Sequence, residues 1–165
     1  MFAATEIDAL SASAAASPQA LFAAIDAIAT RRLDARLVTA MRHDAPNAIV
    51  ERLYSSNPAA YPVGGKKLKR DSAWSQHVLA EHRVLLSAGD ADIRAAFADH
   101  DLIFGLGIRS IVNVPLVVGG DCVGTLNLSR AVTDWRDEDI ALARALGLPA
   151  LAAVLSIGQV YAGRG

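Results

Sequence analysis

The sequence predicts an α/β domain of the α+β kind, and three observations predict it. Two runs of β-branched and apolar residues flank Gly119-Gly120-Asp121, a turn suited to the positive φ angles that tight hairpins require. Two more strand-like runs, 36–43 and 48–55, flank Asp44-Ala45-Pro46-Asn47. Apolar residues at helical spacing occur near both ends: Leu21, Phe22, Ile25 and Ile28, then a long run from 140 to 160.

The 165 residues suit one domain, long enough to bury about two-thirds of the surface its unfolded chain exposes. Sixteen basic against seventeen acidic residues leave a net charge of -1, so no strong field for nucleic acid or anionic membrane is expected. Mean hydropathy is +0.30, much of it from alanine. Cys122 is the single cysteine, which rules out an intrachain disulfide and a multi-cysteine metal site and fits a reducing cytoplasm. Glu6 and Asp8 interrupt the alanine-rich N-terminus and no basic segment precedes it, against a secretory signal. No uninterrupted apolar run is read as approaching bilayer-spanning length, and the expected location is cytoplasmic.

Residues 1–16 read as a flexible or short-helical leader, and 17–165 as the single domain. Ser17 followed by Pro18 has the form of a cap and a first-turn proline, opening a helix to about Thr30. After the two strands, residues 57–69 carry two prolines, two glycines and three lysines and read as a long excursion. Asp71 or Ser72 caps a helix through His82, with Trp74, His77 and Val78 on one face. Residues 84–87 form a short strand. Asp90 caps a further helix in which Ile93, Ala96, Phe97, His100 and Phe104 follow the i, i+3, i+4 rule, with Gly105 ending it. After the hairpin, Asp134 opens a last helix whose first turn carries Asp137, Glu138 and Asp139, matched to the positive end of its dipole. That helix is apolar on nearly every side, so it is expected to pack against more than its own sheet; Pro149 should kink it or remove one backbone bond.

Alternation sorts the hairpin into two faces. Ile111 and Asn113 share one, opposite Val112, Val114 and Leu116. Thr125, Asn127 and Ser129 share another, opposite Cys122, Gly124, Leu126 and Leu128. Small neutral polar groups thus recur on one side of an apolar hairpin, as in a pocket built for an uncharged polar molecule.

The series Gly107-Ile108-Arg109-Ser110, Val114-Pro115-Leu116, Gly124-Thr125-Leu126, Trp135 and Asp137-Glu138-Asp139 resembles the C-terminal half of a GAF domain. The preceding order of helix, two strands, excursion and two helices is similar to the same family, from about Ser17 to Val160. The resemblance implies a central antiparallel sheet with terminal helices on one face and a small-molecule pocket on the other. It also implies homodimers formed through the terminal helices. Most relatives sit beside kinase, cyclase or transcription-factor modules, none of which is recognisable here, so the expectation is either action alone on a ligand or a partner protein for signal output.

Catalytic relatives with this resemblance are the free methionine-(R)-sulfoxide reductases, in which a thiolate ahead of the hairpin attacks the sulfoxide and strand carboxylates hold the amino group. Here residues 100–109 contain no cysteine, and the corresponding strand positions are Ile111, Asn127 and Ser129, none charged. Cys122 reads as a small packed hydrophobe on the face away from Asn127. The neighbouring motif of bilin-attachment cysteines and the Asn-Lys-X-Phe-Asp-Glu signature of cyclic-nucleotide binders are absent. His43, His77, His82 and His100 form no i, i+3 or i, i+4 pair, so no helix-borne metal site is indicated. His77 and His100 read first as packed, hydrogen-bonded side chains, with a role as pocket donor as the alternative for each.

Residues 54–67 fall where the family folds a lid over its ligand. Gly64-Gly65 offers a hinge or exposed amides, and Lys66 a contact for a carboxylate; the alternative is a solvated surface loop. The run from Lys66 to Arg70 mimics a nucleic-acid patch, but the balanced charge argues against that reading.

The expected function is therefore a sensory module binding a small polar metabolite, with no catalytic residues, cofactor or metal. Asn113, Thr125, Asn127 and Ser129 supply hydrogen bonds beside Ile111, and Tyr54, Tyr61, Trp74, His77 and Phe104 form walls and lid. Neutral groups favour an amino-acid-like or heterocyclic ligand over a phosphorylated one. The alternatives are a divergent sulfoxide-reductase-like enzyme and a dimerisation module with a vestigial pocket.

Overall fold

The computed structural model describes residues 1–70 and 72–162, the side chains from 158 onward excepted. Two helices, α1 (Ala4–Ala16) and α2 (Pro18–Leu33), lead into strands β1 (Leu37–Asp44), β2 (Ile49–Ser55) and β3 (Lys66–Leu68). A short helix α3 (Ala73–Ser75) runs into a π-helical turn (Gln76–Ala80), then β4 (Leu85–Ala88), α4 (Asp90–Ala96) and α5 (His100–Gly105). The hairpin β5 (Ser110–Val118) and β6 (Asp121–Arg130) precedes α6 (Asp137–Ala162). All pairings are antiparallel, in the order β3-β2-β1-β6-β5-β4.

Helices α2 and α6 cover one face of this sheet, and α1 packs on those two helices. Phe22, Ile25 and Leu33 of α2 and Leu142, Leu146 and Ala150 of α6 bury against Val38, Val112, Val114, Leu126 and Leu128. The Ser17 hydroxyl accepts from the Ala20 N–H at 3.0 Å, so the cap-and-proline start of α2 forms as expected. Between β5 and β6, Gly119 and Gly120 hold φ of 61° and 90°, the two left-handed residues of a type I′ hairpin. The α6 start differs from expectation. Asp134 stays outside the helix, and the Asp139 carboxylate reaches back to the Arg136 N–H at 3.2 Å while pairing with Arg130 and Arg136. α6 then continues through Pro149.

By length and composition α6 is long and apolar enough to cross a membrane, with mean hydropathy 2.0 over Asp137–Ile157, contrary to the sequence reading. Its buried residues belong to the same core as the sheet, a property that core helices share. Its outer side leaves Leu148, 71% exposed, Leu155 and the small Ala141 and Ala152 on the surface.

The opposite face of the sheet is covered by the 57–69 excursion, α3 with its π turn, α4 and α5. Two expected helices are broken there. The helix expected through His82 makes one α turn and one π turn, in which the Glu81 N–H bonds to the Gln76 carbonyl, and ends at a left-handed His82. The helix expected from Asp90 through Phe104 breaks at Phe97, whose φ of -131° and ψ of 119° are extended. Ser72 caps α3 by accepting from the Ser75 N–H, whereas Asp71, the alternative cap, lies outside the described residues.

Candidate functional site

A cavity of about 80 Å³ lies between the sheet and these covering segments. Its floor is the alternating face of β1, β6 and β5: Leu37, Thr39 and Met41 beside Thr125, Asn127 and Ser129, then Ile111 and Asn113. The same alternation sends Val38, Ala40, Val112, Val114, Leu126 and Leu128 into the helix-side core. Neutral polar residues therefore line the cavity where the hairpin pattern placed them.

They form a directed chain. The Trp74 indole donates to Asn113 Oδ1 at 3.0 Å, Asn113 Nδ2 donates to Asn127 Oδ1 at 2.8 Å, and Asn127 Nδ2 donates to Thr39 Oγ1 at 3.0 Å. Thr125 stands outside this chain. Its hydroxyl is buried in the cavity wall with no hydrogen-bond partner and the residue is 0% exposed. A buried orphan hydroxyl is costly, and at 0% exposure it meets an incoming group only where the cavity wall gives way.

Charge enters through segments whose geometry the sequence concealed. Arg52 on β2 is only 7% exposed; its guanidinium lies over the Tyr61 ring, 4.9 Å from the centroid, and Nη1 donates to the Pro62 carbonyl at 3.0 Å. Arg52 Nε is buried without a partner. Strand β3 alternates, so Lys67 faces the cavity while Lys66 points to the outer surface. Lys67 Nζ and the Tyr61 hydroxyl both donate to Asp99 Oδ2, at 2.8 and 2.9 Å, and Lys69 Nζ sits 4.3 Å from the Trp74 ring centroid. Burial opposes the charge on Asp99, but the Lys67 ammonium and the Tyr61 hydroxyl outweigh it and hold its pKa below the ordinary value. Burial, then the negative charge of Asp99, pushes the Tyr61 phenol up. Burial and the nearby Lys67 push the Lys69 ammonium down, and burial lowers Arg52. Three cations and one carboxylate thus border a cavity expected to be neutral.

Of the walls and lid expected from sequence, Tyr61 and Trp74 line the cavity, and three residues do not. Tyr54 lies on the helix side, stacked on Phe22 with its hydroxyl donating to Asp26 at 2.8 Å. The cause is a bulge: Ala40 pairs with Tyr54 but Met41 pairs with Arg52, so Leu53 is extra and the two flanking side chains face opposite ways. His77 Nε2 is bonded to the Val84 carbonyl at 3.1 Å and packs outside the cavity. Phe104 lies beneath the Arg94 and Arg109 guanidinium groups, and its neighbour Ile103 takes the inward position. His100 bonds to the Phe97 carbonyl through Nδ1, a local packing role.

Cys122 also moves. Leu116 pairs with Gly124 but Val117 with Cys122, so Val123 is the extra residue and Cys122 turns to the Asn127 side, packed with Met41, Trp74 and Val78. Its Sγ donates to the Gly124 carbonyl and burial raises its pKa, conditions that suppress the thiolate. Among the described residues no three His, Cys, Asp or Glu side chains converge to hold a metal ion.

Helices on one side of a six-stranded antiparallel sheet and a cavity with polar groups on its floor on the other define an α+β class of fold. The GAF domain family model matches residues 17–154. The chain belongs to the GAF domain family. No curated protein sequence matches it. Among solved structures, it resembles the GAF domain of a phosphoenolpyruvate-protein phosphotransferase from Coxiella burnetii, with TM-score 0.75, 14% identity, and 96% and 95% of the two chains covered. A methyl-accepting chemotaxis protein fragment gives 0.66 at 17% identity, covering 92% and 98%. The GAF domain of a two-component sensor histidine kinase from Bacillus halodurans gives 0.61 at 17%, covering 83% and 97%. At such identities the likeness establishes the fold alone.

Proposed function

We propose that this GAF domain is a cytoplasmic sensory module that holds a small polar metabolite in the cavity over its sheet and acts by binding, without catalysis. The observation that carries this reading is the Thr125 hydroxyl, buried in the cavity wall and unpartnered beside the amide chain of Asn113 and Asn127. A floor made only for packing would be apolar or internally satisfied. The buried, weakly acidic Cys122 supports binding over thiol chemistry. Solved relatives from chemotaxis and sensor-kinase proteins fit the same reading.

Occupancy is reported through the terminal helices. The exposed Ala141, Leu148, Ala152 and Leu155 recur at intervals of seven, four and three along α6 and form the seam of a homodimer, through which a partner protein reads the state of the cavity. Neither nucleic acid nor membrane is a partner in this reading. Native mass spectrometry of protein purified from its own host tests both parts at once: a dimer carrying a retained small molecule is expected. A ligand-free monomer at micromolar concentration contradicts the proposal.

A further inference from the structure

We infer that the ligand is a small organic acid, an apolar or heterocyclic body bearing one carboxylate, and that Arg52 is the group that reads the acid. The inference rests on the binding reading above and names the ligand class of the same cavity. Arg52 is buried, yet among the described residues no carboxylate lies within 4.0 Å of its guanidinium, whereas Lys67 has Asp99. Its partners among those residues are one neutral carbonyl, at Nη1, and one aromatic face, and Nε has none.

A buried guanidinium with no carboxylate in contact is costly, because the more distant Asp99 offsets its desolvation only in part. Its planar donor fork fits a carboxylate two bonds at a time. Lys69, stacked on Trp74 at the same cavity, adds a second positive charge. Arg52, Lys67 and Lys69 share the single carboxylate of Asp99, so the lining keeps an excess of two positive charges.

The rest of the lining limits what carries the charge. Leu37, Met41, Ile108 and Ile111 offer an apolar bed for the body of the ligand, and Thr125 one hydroxyl. A dianion loses far more hydration than a monoanion on entering a lining this rich in apolar side chains, and Arg52 offers one planar fork. A carboxylate therefore fits better than a phosphate monoester.

The test uses isosteric acid and amide pairs: benzoate with benzamide, nicotinate with nicotinamide, isovalerate with isovaleramide, and phenyl phosphate as the dianion. Affinities for the full chain are measured by calorimetry at neutral pH for the native protein, Arg52→Gln and Lys69→Gln. At least one acid is expected to bind about tenfold or more tighter than its amide, with that preference lost in Arg52→Gln and reduced in Lys69→Gln. Lys69 is partly exposed, so its variant keeps the test decisive should Arg52→Gln fail to fold. Amides binding as well as acids overturn the inference and leave the sensory reading standing. Phenyl phosphate binding more tightly than benzoate overturns the carboxylate assignment. Binding by no compound overturns the inference, and retention of a small molecule in native mass spectrometry then judges the sensory reading separately.

Discussion

Thr125 shows how one atom separates a binding floor from a packing surface. Its hydroxyl is fully buried and unpartnered, while its neighbours Asn127 and Asn113 are bonded to each other. Thr125→Val keeps the shape and removes the orphan group. We expect stability to rise by up to about 1 kcal/mol in urea denaturation, with weaker binding of the acid that the native protein prefers. A loss of stability would mean that the hydroxyl already has a partner in the unliganded protein. At this scale the sequence is readable where strands alternate regularly, and Ile111, Asn113, Thr125, Asn127 and Ser129 all line the cavity. It is silent on the charges. Lys67 and Lys69 lie in an irregular, proline- and glycine-bearing stretch, and Asp99 reads as an interior helical residue, whereas the extended Phe97 moves it to the start of α5.

Elements are legible in kind and order, but their irregularities are not. Two bulges, at Leu53 and Val123, each reverse the facing of the side chains on their two flanks, and each accounts for one misplaced side chain: Tyr54 in the first case, Cys122 in the second. A bulge has no strong local signature, because it is fixed by pairing with a strand distant in sequence. Gly124 marks the second one. A Cβ there would collide with the carbonyl oxygen of Met41 on the neighbouring strand, a backbone atom that cannot step aside. Gly124→Ala is expected to cost about 1–3 kcal/mol, read from the urea midpoint. A change below about 0.5 kcal/mol would show that β1 and β6 are not held at this separation.

For the whole molecule, the sheet divides two tasks. Its helix side is a continuous apolar core joining α2 and α6, and its other side is a cavity of mixed polar and apolar lining, roofed by short, irregular segments tied together by Asp99. The two-sided architecture is implied by the family resemblance. The identity of the roof is not, because Tyr61, Lys67 and Asp99 come together only through long-range contacts.

The most direct measurement uses the two tryptophans as opposed reporters. Trp74 donates its indole N–H to Asn113 inside the cavity, and Trp135 donates its own to Ser110 outside it. In nitrogen–proton correlation spectra, titration with the acid and amide set should shift the Trp74 indole resonance while that of Trp135 stays fixed. A compound that binds by calorimetry yet leaves the Trp74 resonance unmoved, or moves only that of Trp135, would contradict a ligand site over the sheet.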